Sequence, residues 1–342
     1  MQLDLTTKTL ISEFMELVFS RKALEVSAQE IPIFVKKEIK GNIYWYKQRY
    51  ENGKALQEYF GPSNKKNNTF IATARKNRKE NTTQLKSIIT KERRLGAMLR
   101  RGELPSIDAR IAKVLTKLSD AQLIDTYGIL VGTFAFISYT TCLGHLFKHS
   151  LLSTNDIDIV RDTSLEIAAC KPIDAESFFV DSELACRSIP GFSPTSFPAS
   201  FITKDGLRID LLVPLRGVHK ELMPMPKVAG ASAVPLRFLD FLIRNPIRSV
   251  LISPHGGIPV LVPHPVRFTI HKLIIAQYRS ITEGNKKAKD LYQAEELLPI
   301  IAEEYPTDLR KAYKEACRQG KKWQTAIKKS LEFLPKKLRI LV

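Results

Sequence analysis

The stretch Asn155-Asp156-Ile157-Asp158-Ile159-Val160 decides how the middle of this chain folds. Its acids alternate with apolar residues, as in a strand that buries one face. Successive side chains of a strand point to opposite faces, so Asp156 and Asp158 share one face while Ile157 and Ile159 enter the core. Two adjacent carboxylates repel each other, and a divalent cation that prefers hard oxygen ligands, such as Mg²⁺, relieves that repulsion. The alternative is an edge strand with a solvated polar face.

A second strand lies upstream, at Gly128-Ile129-Leu130-Val131, and ends at Gly132-Thr133. Apolar residues at helical spacing follow directly, which predicts a helix that begins at this turn. Glycine lets a backbone approach phosphate oxygens, a hydroxyl can donate to them, and the exposed N–H groups of a helix start favour negative charge. Gly132 and Thr133 are therefore candidate phosphate-binding residues.

A third strand carries a single acid. Asp205-Gly206 is a type I′ turn signal between Ser200–Lys204 and Leu207–Val213, which predicts a hairpin. Asp210 lies in the returning strand, where an acid among apolar residues costs free energy unless a cation or hydrogen bonds stabilise it. A local salt bridge to Arg208, two residues earlier on the same face, is the plainer interpretation.

Taken together, Leu130-Val131-Gly132-Thr133, Asp156-x-Asp158 and Ile209-Asp210-Leu211 resemble the pattern of the nucleotidyltransferase superfamily related to DNA polymerase β. The hairpin segments Gly41–Tyr46 and Tyr59–Pro62 and the helical segments Arg267–Leu273 and Lys286–Ala294 resemble those of a bacterial group of nucleotidyltransferase-fold proteins, so this resemblance covers roughly residues 35–330. Thr133 stands where serine is commonest in the superfamily, and the segment from Gly132 to Asp156 is longer than in its minimal members.

This resemblance implies an α+β fold: a polymerase β-like core, in which helices flank a mixed sheet, between an N-terminal β-hairpin and helical region and a C-terminal helical domain. It also implies transfer of a nucleoside monophosphate from an NTP to an acceptor hydroxyl, with two Mg²⁺ ions at the reacting phosphate. Asp156 and Asp158 would bind both ions, and Asp210 would bind the ion on the nucleophile side. Gly132 and Thr133 would contact the β- and γ-phosphates.

A triphosphate also needs basic donors. Lys272 and Arg279 are seven residues apart on a helix predicted to run from Arg267 to Arg279, so they would share one face. Lys287 and Lys289 form a second candidate pair. A solvated lysine on a surface helix is the alternative for each of them.

The histidines and cysteines indicate no further chemistry. His271 is expected to be a packed or capping residue, and six scattered histidines form no metal cluster. Cys142, Cys170, Cys186 and Cys317 form no CxxC pair, so neither disulfides nor structural zinc is expected. This cysteine usage is typical of a reducing cytoplasm.

The charge of the chain points to a polyanionic partner. Lys and Arg number 53 against 35 Asp and Glu, a formal net charge of +18. Residues 36–101 carry eighteen basic and five acidic residues, with five tyrosine and tryptophan rings among them, and residues 309–339 carry eleven basic and two acidic residues. Basic side chains hold phosphates and rings stack on bases, so both regions are candidate RNA-binding surfaces. The alternative for residues 36–101 is that the rings pack the hairpin and the charges are only solvated. No run is apolar enough to cross a membrane.

The length of 342 residues predicts two or three domains, which we place at 1–104, 105–262 and 263–342. Asn52-Gly53 predicts a hairpin between Ile43–Tyr46 and Leu56–Phe60. Helices are predicted at 1–30, 64–103, 105–125, 236–248 and throughout 264–342.

Three functions remain open from the sequence. The first is an enzyme that nucleotidylates RNA, such as tRNA ends. The second is the same chemistry on a protein hydroxyl, as in toxin–antitoxin or regulatory enzymes. The third, a non-enzymatic nucleic-acid-binding protein, would be expected to have lost its acids, whereas Asp156, Asp158 and Asp210 are all present.

Overall fold

The fold was analysed in a computed structural model, which describes residues 1–51, 54–148, 154–161, 173–190, 196–218, 221–225 and 228–340. The helices are α1 (Leu5–Glu30), α2 (Lys65–Arg101), α3 (Ala109–Asp120), α4 (Gly132–Leu143), α5 (Leu239–Leu242), α6 (Pro265–Ile275), α7 (Gly284–Glu304), α8 (Pro306–Arg318), α9 (Lys321–Glu332) and α10 (Lys336–Arg339). The strands are β1 (Ile33–Ile39), β2 (Asn42–Glu51), β3 (Lys54–Pro62), β4 (Ile129–Val131), β5 (Asp156–Val160), β6 (Ile173–Asp174), β7 (Arg187–Ile189), β8 (Ser200–Ile202), β9 (Arg208–Pro214), β10 (Met223–Pro224), β11 (Val228–Ala229), β12 (Ser232–Leu236), β13 (Ile247–Ser253) and β14 (Gly256–Val262).

Strands β1, β2 and β3 form an antiparallel sheet that packs one face against the start of the long helix α2. Phe34, Trp45 and Ile71 are buried between them, and the Trp45 indole donates a hydrogen bond of 2.7 Å to Asn68 Oδ1. The predicted hairpin partners do pair, although the turn Asn52-Gly53 lies outside the described residues.

A mixed sheet forms the centre of the molecule. Its main path runs β10-β12-β9-β5-β4, and β8 and β7 extend it beside the first half of β9. Strands β5, β9 and β12 are parallel, whereas β4 is antiparallel to β5. The predicted α+β class, with helices flanking a mixed sheet, is confirmed.

Helix α1 packs with α2 against the β13–β14 hairpin, which joins the N-terminal helices to the core. Glu92 of α2 is buried there; it accepts from the Gly257 N–H at 2.7 Å and pairs with Arg21 Nε at 2.7 Å. A buried carboxylate destabilises a fold unless it is paired and hydrogen-bonded. These two contacts therefore allow Glu92 to be buried between α2 and the β13–β14 hairpin.

Helices α6 to α10 close the C-terminal side around an apolar cluster that includes Ile270, Leu298 and Ile327. This agrees with the helical pattern predicted from residue 264 onward. None of the described helices combines the length and the apolar character that crossing a bilayer requires.

Several local predictions were wrong. Residues 236–248 form only the one-turn helix α5, because Asn245 adopts a left-handed φ of 54° before Pro246 and the chain then enters β13. The helix predicted at 105–125 is shorter: Asp108 caps its start and it ends at Asp120.

The predicted type I′ turn at Asp205-Gly206 was also wrong. Gly206 alone of the pair has a positive φ, 82°, and its N–H donates to Thr203 O, so the turn centres on Lys204 and Asp205. The thiols of Cys142, Cys186 and Cys317 are free, and Cys170 lies outside the described residues.

Candidate active site

The three aspartates are brought together by two adjacent parallel strands. Asp156 and Asp158 lie on one face of β5, while Ile157 and Ile159 on the other face are fully buried. Strand β9 pairs with β5 in a register that sets Asp210 directly opposite Asp158. Neighbouring strands are about 4.8 Å apart, and side chains opposite each other in a sheet share a face. The carboxylates of Asp158 and Asp210 therefore project side by side.

The glycine turn lies against the same carboxylates. Strand β4 pairs Val131 with Asp158, and Gly132 begins α4 with a left-handed φ of 68°. A Cβ at Gly132 would lie 2.6 Å from Asp158 Oδ2, so no other residue fits here without movement. No side chain caps this helix start, which leaves the N–H groups of its first turn, with Thr133 beside them, available to an anion.

The charge of the cluster is not balanced internally. Burial, and then the neighbouring charges of Asp210 and Asp156, raise the pKa of Asp158 from 3.8 to about 6, and the charges of Lys272 and Lys286 oppose that rise. A carboxylate crowded in this way is stabilised by a bound cation.

Asp210 already has partners on the protein. Its Oδ1 accepts from Arg208 Nε at 2.8 Å and from the Ser200 hydroxyl, to which Arg208 also donates at 3.2 Å. The hydrogen bond to Asp210 raises the pKa of the Arg208 guanidinium. The local salt bridge considered for Asp210 thus exists, and it coexists with the juxtaposition to Asp158. Ser200 was missed from the sequence, although the hairpin register pairs it with Asp210.

The donor set fits a hard cation in its chemistry. Carboxylate oxygens are the ligands that Mg²⁺ prefers, and no side-chain hydrogen bond to the carboxylate of Asp158 occurs in the described part of the chain. In the described ranges, no three Asp, Glu, His or Cys side chains form a ready ligand shell. Asp156 is exposed and Asp210 leans toward Arg208, so binding an ion with all three acids requires Asp210 to share or exchange that contact.

The predicted phosphate donors Lys272 and Arg279 meet at one buried acid instead. Lys272 Nζ lies 2.6 Å from Asp290 Oδ1 and Arg279 Nε lies 2.9 Å from Asp290 Oδ2. These two cations hold the pKa of Asp290 below its usual value against the effect of burial. The helix predicted from Arg267 to Arg279 ends at Ile275, so Arg279 reaches Asp290 from the turn that follows. Lys272 is only 7% exposed, which excludes a solvated surface lysine.

Helix α7 brings further lysines toward the acids. Lys286 lowers the pKa of Asp158. Burial and then Lys272 lower the pKa of Lys289, while the charges of Asp290 and Asp156 raise it. Lys287 points elsewhere, with its ammonium 5.0 Å from the centroid of Phe333. Lys286 and Lys289 are three residues apart and share a helix face, a spacing that could have identified Lys286 from the sequence.

His271 is buried in this region beside Lys272. Burial, and then the charge of Lys272, lower its pKa to about 3. Its ring is therefore neutral across the physiological range, as suits a packed residue.

A family model described as Nucleotidyltransferase matches residues 109–318, more than half of the chain. The matched segment contains Gly132, Thr133 and all three aspartates, together with the lysines of α6 and α7. Searches of the curated proteins and of the solved structures return no match.

Proposed function

The chain belongs to the nucleotidyltransferase family, and from this we propose that it transfers a nucleoside monophosphate from an NTP to an acceptor hydroxyl on RNA. The observation that carries the proposal is the side-by-side placement of Asp158 and Asp210 on parallel strands, against the turn at Gly132. We further propose that the mixed sheet and its helices are a polymerase β-like core.

The acids are assigned to a Mg²⁺ site. Asp156, Asp158 and Asp210 would hold two ions, as the crowding that raises the pKa of Asp158 favours. Bound there, Mg²⁺ would neutralise charge on the reacting and leaving phosphate oxygens.

The protein groups around the acids would position the triphosphate. The turn at Gly132 and Thr133 leads into an uncapped helix start, which offers backbone N–H groups to the β- and γ-phosphates. The charges of Lys286 and Lys289, both on α7, act on Asp158 and Asp156 respectively. We assign them as donors to the triphosphate.

Lys272 and Arg279 receive a different role in this proposal. Since both donate to Asp290, they fix α6 and the turn that follows it against α7. They thereby set the position of Lys289 next to Asp290, and Lys272 adds positive charge near Asp158 without leaving its buried partner.

The acceptor hydroxyl would be oriented by Asp210. Arg208 and Ser200 hold its Oδ1. Once Asp210 shares that contact with the ion, its carboxylate would accept the proton as the acceptor oxygen bonds to the α-phosphorus. The bond between the α-phosphorus and the bridging oxygen of pyrophosphate breaks in the same step, so pyrophosphate leaves.

RNA is favoured as the acceptor by charge. Residues 36–101 and 309–339 carry local net charges of +13 and +9. Regions with so much positive charge attract a phosphate backbone more strongly than an ordinary protein surface does.

The test is label transfer from α-³²P-labelled NTPs with Mg²⁺, offered total RNA and lysate protein together, followed by nuclease or protease digestion. We expect nuclease-sensitive label from the wild type, no label from Asp158→Ala, and wild-type label from Asp205→Ala, an exposed acid in the nearby β8–β9 turn. Protease-sensitive label would overturn RNA as acceptor. Absence of label with every NTP would overturn the enzymatic proposal.

A further inference from the structure

The N-terminal sheet has one face that α2 covers and one that it does not. Along β2, Trp45 points toward α2 and is buried, so Tyr44, Tyr46 and Tyr50 point the other way. Strand β3 adds Tyr59, whose backbone pairs directly with that of Tyr46. We call Lys37, Tyr44, Tyr46, Tyr50 and Tyr59 the tyrosine face. Tyr50 is 63% exposed and Tyr59 54% exposed, which is unusual for aromatic rings on a sheet.

The rings form a group rather than scattered residues. The centroid of Tyr59 lies 5.7 Å from that of Tyr46 and 6.0 Å from that of Tyr44. The Lys37 ammonium lies 4.7 Å from the centroid of Tyr46. Flat π-faces beside a cation suit a ligand that carries both stacking rings and negative charge.

A cleft of about 680 Å³ borders this surface at the far end of the sheet, where Gln48 and Tyr50 meet the side that α2 covers. Its basic residues belong to that α2 side: Lys47 and Arg49 alternate with the tyrosines along β2, the Lys47 ammonium lies 5.5 Å from the centroid of Phe60, and Arg78 is on α2 itself. Within it, Gln48 donates to the Tyr50 hydroxyl at 2.6 Å and accepts from the Gln57 amide at 2.7 Å. From Tyr44 to Tyr50 the strand spans about 20 Å, so a ligand that follows it is several nucleotides long.

The tyrosine face also lies far from the site at which the N-terminal helices join the core. Ile71 packs under the sheet, whereas Leu95 packs against α1 and the β13–β14 region. Both lie on the continuous helix α2, and at about 1.5 Å per residue they are about 36 Å apart. A free nucleotide cannot span that distance, but a polynucleotide chain can.

We propose that the tyrosine face binds a single-stranded segment of RNA, as a docking surface separate from the carboxylate cluster. The strand would lie across β2, with bases stacked on the exposed rings and phosphates held by Lys37. The local charge of residues 36–101 is complementary to a phosphate backbone. The identification of the segment as part of the acceptor rests on the proposed function, whereas the binding itself does not.

The experiment measures the binding of a fluorescein-labelled single-stranded RNA of about 12 nucleotides, by anisotropy, in EDTA and without NTP. We expect Tyr59→Ala to raise the Kd about fivefold or more, which is the lower limit for losing one stacked base. Tyr59→Phe keeps the ring and should bind like the wild type. Lys37→Gln should reduce the slope of log K against log salt by about 0.7, the loss of one phosphate contact on a single strand.

Lys76→Gln is the matched charge control, because Lys76 is an exposed lysine of the same basic segment that pairs with Glu80 on α2. It should leave binding and the salt slope unchanged. Equal binding by Tyr59→Ala and the wild type would overturn the proposal, as would equal weakening by Tyr59→Ala and Tyr59→Phe. Binding of polyglutamate but not RNA by the wild type would also overturn it, in favour of an acidic protein.

Failure of this inference is distinguishable from failure of the enzymatic proposal. RNA binding that depends on Tyr59 without any label transfer supports the docking surface and contradicts only the enzyme. Label transfer by a wild type that does not bind the oligonucleotide contradicts only the docking surface. Thermal melts of each variant ensure that the comparison is made on folded protein.

Discussion

Asp158→Asn should make the metal-free protein more stable while it abolishes nucleotidyl transfer. The carboxylate of Asp158 is crowded by burial and by Asp210 and Asp156, which raise its pKa to about 6. Asparagine has nearly the same shape, so it preserves the fit against Gly132 while it removes one of the three negative charges. The substitution therefore separates the electrostatic cost of the cluster from its packing.

The size of the effect follows from the pKa. A rise from 3.8 to about 6 is about two units, and at 1.36 kcal/mol per unit it corresponds to roughly 3 kcal/mol. The folded protein binds the proton more tightly than the unfolded chain, so stability falls as pH rises between about 4 and 6. Below that pH range Asp158 is protonated in both the folded and the unfolded state, so it does not destabilise the fold. Above that range the full loss of folding free energy is present, and Asp158→Asn removes it.

The assay is thermal unfolding of wild type and Asp158→Asn in EDTA, from pH 4 to pH 8. We expect the two melting temperatures to converge near pH 4, and the variant to melt roughly 5 °C higher above pH 6. With Mg²⁺ the wild type should gain stability and the variant should gain less, because a ligand and a charge are missing. A variant that melts lower than the wild type at pH 7.5 in EDTA would refute the crowding argument.

Three other substitutions test the surroundings of the cluster. Gly132→Ala places a Cβ 2.6 Å from Asp158 Oδ2 at a φ of 68°. We expect it to lower the free energy of unfolding by about 1–3 kcal/mol, measured by thermal melting. Initial rates of label transfer should fall at least about tenfold. Asp290→Asn leaves Lys272 buried without its counter-charge and should lower the free energy of unfolding by about 3–5 kcal/mol, measured by denaturant titration; an unchanged midpoint would contradict it. Arg208→Ala frees the third carboxylate from its guanidinium, so Mg²⁺ should stabilise this variant at a lower concentration than the wild type; a higher midpoint of the Mg²⁺ titration would count against the competition.

The local elements of the site could be predicted because each has a strong signal of its own. The apolar run that ends at Gly132 predicts a strand, a turn and a helix, and β4 and α4 lie there. The alternation around Asp156 and Asp158 predicts which side chains enter the core, and Ile157 and Ile159 are fully buried. In both segments the periodicity of the sequence agrees with the burial that the fold imposes.

The wrong helix prediction at 236–248 arises where an apolar stretch fits two periods. Residues 236–248 contain apolar residues at helical spacing, but the end of β12, one turn of helix and the start of β13 divide them. The β13–β14 hairpin is apolar on both faces because helices cover it on one side and the core on the other, so it shows no alternation. Tertiary burial, which a single sequence does not display, decided these segments.

The contacts of Lys272 and Arg279 also depend on tertiary packing that the sequence alone does not display. Seven-residue spacing predicts that the two cations share one helix face, but α6 ends at Ile275 before Arg279. The two cations meet at Asp290 because α6 packs against α7. Asp290 neutralises two donors that a sequence argument would assign to phosphate. Lys286 and Lys289, which the same packing brings toward the carboxylates, take their place as the candidate donors.

No local sequence pattern predicts that Asp158 lies opposite Asp210. Fifty-two positions separate the two residues, and their strands are parallel, so the register depends on everything that connects them. A shift of one residue would turn Asp210 into the core and bring Ile209 or Leu211 to the face of the acids. Both of those side chains are fully buried, and exposing either would cost about 2–3 kcal/mol. The apolar residues on either side of Asp210 thus fix the register, and the register in turn places the charge.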